Sequence, residues 1–94
     1  MVVTVRIPGS LRELTGGLRS LPVQVPDAAT VGDVLDRLAA HYPELGRRIR
    51  DEQGDIRRHV NVFIGDTNVR DTHHCATRAA ADSEIIILPS ISGG

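Results

Sequence analysis

Val3, Val5 and Ile7 alternate with Val2, Thr4 and Arg6 at the head of the chain. That period of two marks a half-buried strand over residues 2–7, closed by Pro8-Gly9. A loop follows in which Gly16-Gly17 suits a turn with positive φ. The segment LPVQV then sets Leu21, Val23 and Val25 on one face, and Pro22 and Pro26 suit an edge strand, where a missing N–H costs least. The two strands read as a hairpin with a long turn. From Thr30 the period changes: Val31, Val34, Leu35, Leu38 and Tyr42 fall at helical spacing, and Thr30 with Asp33 approximates a capping box. Pro43 disfavours helical geometry at Tyr42, so the helix ends there or just before. Leu45 and Ile49 anchor one more short turn ahead of the polar loop RDEQGDIRR.

In HVNVFIGD, Val60, Val62 and Ile64 share one face while His59, Asn61 and Phe63 share the other. Val69 and Arg70 read as a short return strand. Ile85, Ile86, Ile87 and Leu88 are consecutive aliphatics, the signature of a strand buried in the middle of a sheet. The order predicts an α+β fold, a mixed sheet of about five strands with one main helix packed on one face. A β-grasp fits it, as do other small α+β folds. Residues 1–89 form the predicted domain and residues 90–94 a flexible C-terminal tail.

Composition narrows the function. Ninety-four residues suffice for one core, and a formal net charge of −1 provides no long-range field for nucleic acid or an anionic membrane. Tyr42 and Phe63 are the only aromatics, too few for a base-stacking platform. A single cysteine, Cys75, suits a reducing cytoplasm. The opening MVVTVRIPGS has too short an apolar run for a signal peptide, and no stretch approaches a membrane span.

Nothing here reads as an active site. His41, His59, His73 and His74 are the candidate bases, and none falls in a pattern with a nucleophile and an orienting carboxylate. His73-His74-Cys75 lacks a second ligand cluster, so no metal site is expected. Arg47, Arg48, Arg50, Arg57 and Arg58 flank Asp51, Glu52 and Asp55, which implies local charge compensation and a solvated face; docking of some of them on an acidic partner is the minority reading. Phe63, turned away from the core side of its strand, is a candidate partner-docking residue, the alternative being that a loop covers it.

The last residues, ILPSISGG, carry the chemistry. Glycine has no Cβ, so Gly93 and Gly94 can pass through a channel that a substituted backbone would block. Ile91 and Ser92 are the candidates for threading a partner's site, and the five residues after Pro89 can reach about 17 Å. The Gly94 carboxylate is a poor electrophile until it attacks the α-phosphate of ATP to give an acyl adenylate. Sulfur could then displace AMP and leave a C-terminal thiocarboxylate. Attack by a cysteine and then an amine would instead conjugate the chain to a target.

The strand VVTVRIP, the helix TVGDVLDRLAAHYPEL, the segment VNVFIGDTNVR and the ending DSEIIILPSISGG together resemble the MoaD/ThiS family of ubiquitin-like sulfur carriers, most closely the CysO type. The ending is the most specific of these. The resemblance implies a β-grasp with first and last strands adjacent at the sheet centre, and a carrier that is not itself an enzyme and binds no cofactor. It also implies activation of Gly94 by an E1-like adenylating enzyme of the MoeB/ThiF type, which uses ATP and Mg. The implied sulfur acceptor is a synthase: a cysteine synthase, the molybdopterin synthase large subunit, or a ThiG-like thiazole or thiosugar synthase. A JAMM-type metalloprotease is a further implied partner. Two features depart from the family pattern: Asp82-Ser83-Glu84 lacks its usual glycine, and Cys75 replaces an apolar residue, which raises a side reading in which the thiol traps the activated terminus. A ubiquitin-like modifier is the alternative. The sequence contains no lysine, so such a modifier could not build side-chain polymers of itself. A plain binding subunit, with a tail that merely inserts in a partner, is the third reading.

Overall fold

The computed structural model describes residues 1–89. Five strands are present: β1 (Val2–Arg6), β2 (Ser20–Gln24), β3 (Val60–Ile64), β4 (Thr67–Asn68) and β5 (Glu84–Pro89). They form one mixed sheet in the order β2-β1-β5-β3-β4. β1 and β2 make the expected hairpin, with Val3 opposite Val23. Their connection is a 3-10 segment, Gly9–Thr15, closed by Gly16 and Gly17 at φ 73° and 93°, where a Cβ would be strained. β5 lies at the centre, parallel to β1 and antiparallel to β3. This is the β-grasp topology.

Helix α1 (Val31–His41) begins as its sequence dictates. The Thr30 hydroxyl accepts from the Asp33 N–H at 3.2 Å, and the Asp33 carboxylate accepts from the Thr30 N–H at 2.9 Å. Val31, Val34, Leu35 and Leu38 are its buried stripe. What reads as one short turn is a second helix, α2 (Pro43–Ile49), with Pro43 in its first turn and Leu45 and Ile49 fully buried. α1 and α2 approach closely. A Cβ on Gly46 would stand 2.5 Å from the Ala39 Cβ. Gly46→Ala is therefore expected to cost about 1–2 kcal/mol, overpacking outweighing the gain in helix propensity. Denaturant unfolding of that variant, of Ala39→Gly and of the double variant checks it, with the double variant recovering part of the loss.

Two expectations are corrected. The return strand is Thr67–Asn68, paired with Ile64 and Phe63, whereas Val69 and Arg70 lie in a 3-10 turn, Val69–Asp71. The cause is the tight Gly65-Asp66 turn, which brings the chain back at once, after which Val69 drops into the core. β5 is central but not buried on both faces: Ile85 and Ile87 are buried, Ile86 is half-buried and Leu88 is 46% exposed. Its inner positions join the core with α1 and α2, while its outer positions lie on the sheet's open face.

Candidate functional site

The open face of the sheet carries the outer positions of β5, the strand that ends at Pro89. Alternation places Thr4 and Arg6 of β1, Glu84, Ile86 and Leu88 of β5, and Asn61 and Phe63 of β3 on this side. Register brings them into rows. Ile86 stands between Arg6 and Phe63, and Leu88 stands opposite Asn61. Phe63 is half-buried beside Ile86, a cross-strand pair contributing roughly 0.2–1 kcal/mol. The site expected at Phe63 is thus an apolar strip of Phe63, Ile86 and Leu88. Asn68 Nδ2 donates to Asn61 Oδ1 at 3.3 Å on one flank, and Arg6 pairs with Glu84 at 3.6 Å on the other.

Pro89 pairs with Val60 at the end of this strip. Gly94, Gly93, Ser92 and Ile91 lie outside the described residues. The start of β3 beside Pro89 is held by Arg70, whose Nη2 donates to the carbonyls of Arg57 and Val60 at 2.7 and 2.6 Å. Sequence periodicity gives no hint of that role.

The remaining candidates disperse. Among the described residues, no group of three or more His, Cys, Asp and Glu side chains could hold a metal ion. Cys75 sits half-buried in a 3-10 turn, His74–Ala76, beside the Gly54 carbonyl. Burial pushes its thiol above the usual range, only partly offset by Arg50, which disfavours the nucleophilic thiolate. The arginine compensation is also corrected. Arg47 and Arg48 pair with Glu44, and Arg50 pairs with Asp36 at 2.7 Å. Asp51 instead accepts from the Gln53 and Asp55 N–H groups and shapes its own loop. Hydrogen bonding and charge from Arg47 hold the Glu44 carboxyl below the usual range. No helix among the described residues is long and apolar enough to cross a membrane.

The central strand ends at Pro89, the last described residue, at the end of the sheet where β3 begins. The ThiS family model matches residues 5–94, almost the whole chain. The chain belongs to the ThiS family. It is 36% identical to the sulfur carrier protein CysO of Mycobacterium tuberculosis over the full length of both chains. The crystal structure of that protein superimposes with a TM-score of 0.84, covering 95% of this chain and 99% of that one. A chain of the Amycolatopsis orientalis BexX/CysO complex gives 0.87 at 30% identity, covering 98% and 99%. Small archaeal modifier protein 3 of Haloferax volcanii is 34% identical, again over all of both chains. The resemblance to MoaD/ThiS carriers of the CysO type is thereby borne out, and the similar proteins are small carriers and modifiers.

Proposed function

We propose that this ThiS-family chain is a cytoplasmic sulfur carrier whose C-terminal Gly94 is activated and thiocarboxylated by partner enzymes. The observation that carries the reading is that the family match runs through residue 94 on a fold whose central strand delivers that end. An E1-like adenylating enzyme of the MoeB/ThiF type, using ATP and Mg, joins the Gly94 carboxylate to AMP and releases pyrophosphate. Sulfide from a donor then displaces AMP, leaving the thiocarboxylate, which a synthase consumes. Full-length similarity to a sulfur carrier protein and to a chain of a complex with a partner protein supports a carrier that hands its sulfur to a partner enzyme, with cysteine, molybdopterin, thiazole and thiosugar formation as the proposed destinations.

The test is the intact mass after incubation with the adenylating enzyme of the same organism, ATP and a sulfide donor. A gain equal to the difference between sulfur and oxygen, confined to the C-terminal peptide, is expected. An unchanged mass, with the enzyme active on another carrier, would refute the reading. The apolar strip supplies a second check. Phe63→Ala is expected to raise the KM of adenylation about tenfold with kcat little changed, because a buried aromatic anchor is commonly worth over 1 kcal/mol.

Similarity to small archaeal modifier protein 3 over its full length favours a second reading, conjugation through Gly94 to lysines of other proteins. Covalent adducts in cells, one copy per target site and absent from a chain lacking Gly94, would establish it.

A further inference from the structure

The end of the molecule from which the tail departs is cationic. β1 and β5 run parallel, so Pro89 lies at the same end of the sheet as the β1–β2 connection, which carries Arg12 and Arg19. β3 runs antiparallel to β5 and begins opposite Pro89, which places Arg57 and Arg58 at this end too. Arg70 joins them through its bonds to the Arg57 and Val60 carbonyls. Among the described residues, none of these arginines forms an ion pair, whereas Arg6, Arg47, Arg48 and Arg50 all do. Arg12 Nε donates to the Ile7 carbonyl and Arg57 Nε to the Arg47 carbonyl, contacts that hold the guanidinium groups without neutralising them. The acids beside them in sequence are Glu13 and Asp71. Because the whole chain carries a formal charge of −1, this excess is local.

We propose that this cationic end docks on carboxylates ringing the entrance of the site that receives the tail, on the activating enzyme. The identity of that partner rests on the carrier reading; the charge pattern does not. Arg19 and Arg58 are exposed while Arg12, Arg57 and Arg70 are half-buried and bonded to backbone carbonyls. Exposed, uncompensated guanidinium groups cost little in water, and complementary charge gives orientation and a faster encounter. The position fits such a role, since charges around the root of the tail align the end before it enters a narrow site. Nucleic acid fits less well, because the chain has only two aromatics and no net positive charge.

The experiment measures AMP-forming turnover of the full chain by the E1-like enzyme of its own organism. Arg19 and Arg58 are exposed, so Arg19→Glu with Arg58→Glu changes charge without removing a core contact. The double variant is expected to raise KM about tenfold or more with kcat within twofold, and the salt dependence of the wild-type KM is expected to flatten. Arg78→Glu is the control. Arg78 is exposed and bridges Thr30 at the opposite end of the sheet, and its KM is expected to stay within twofold. A double variant with unchanged KM, or a control shifted equally through net charge alone, overturns the inference. A single-stranded oligonucleotide bound by wild type and released by the double variant would also overturn it, reassigning the surface. If the wild type is not adenylated at all, the carrier reading fails and this surface loses its assigned partner with it. An active wild type with a charge-insensitive KM sinks the docking inference alone.

Discussion

A chain lacking Gly94 is expected to form no thiocarboxylate and to melt within about 2 °C of the full-length protein, since chain termini contribute little unless tied down. The last sheet pairing is Val60 with Pro89, and the last buried side chain among the described residues is Ile87. Gly94 lies beyond both, so its removal subtracts no pairing and no core contact described for the fold. On the proposed carrier reading its effect on chemistry is the opposite, because without it the carboxylate would sit on Gly93, one residue short of the adenylating centre. A displacement of that size removes the reacting atom from a near-attack position, which can be worth several orders of magnitude in rate. Intact mass after incubation with enzyme, ATP and sulfide reads the chemistry, and a thermal melt reads the fold. Full thiocarboxylation of the truncated chain would refute the assignment of Gly94 as the sulfur-carrying residue. Loss of the fold would show that the tail has a structural role.

Much of the fold is legible in the sequence wherever a local pattern and a tertiary need coincide. The alternation of Val3, Val5 and Ile7 locates β1, and Thr30 with Asp33 fixes the start of α1 through a hydrogen-bonded pair that depends on neighbouring residues alone. Pro22 is on the edge strand, as its missing N–H requires. The misreadings share a different cause. β4 consists of Thr67 and Asn68, whose strand character comes from register with Ile64 and Phe63 and from nothing in their own pattern. Asp36 pairs with Arg50, and Arg70 braces Arg57 and Val60, across sequence gaps that periodicity cannot bridge. For the candidate site, alternation foretells the outward face of Phe63. Its apolar neighbours Ile86 and Leu88 follow only from the order of the strands.

Four consecutive aliphatics in β5 invite the prediction that each is equally costly to truncate; the structure predicts alternation instead. Ile87→Ala is expected to destabilise the domain by about 3–4 kcal/mol, within the range for removing a large aliphatic side chain from a core that cannot fully collapse. Ile87 is 1% exposed, pairs with Val62 on the neighbouring strand, and sits in the sheet's central strand, where β1 and β3 confine the space on either side. For a domain of this size, that loss lowers the melting temperature by roughly 12–30 °C and takes a large share of a typical stability of 5–15 kcal/mol. Leu88→Ala, one position along and 46% exposed, is expected to cost no more than about 1 kcal/mol, because much of its surface is already in water. Denaturant unfolding of both variants decides between the two pictures, and equal losses would mean that the outer face of β5 is covered. Adenylation kinetics should then reverse the ranking. Below its melting temperature, the Ile87 variant presents the same outer strip and keeps its KM, whereas the Leu88 variant, stable but altered beside Pro89, binds the activating enzyme more weakly. The same strand thus divides its residues by parity: Ile85 and Ile87 face the core and hold the sheet together, whereas Ile86 and Leu88 lie on the open face, where the proposed carrier would meet its activating enzyme.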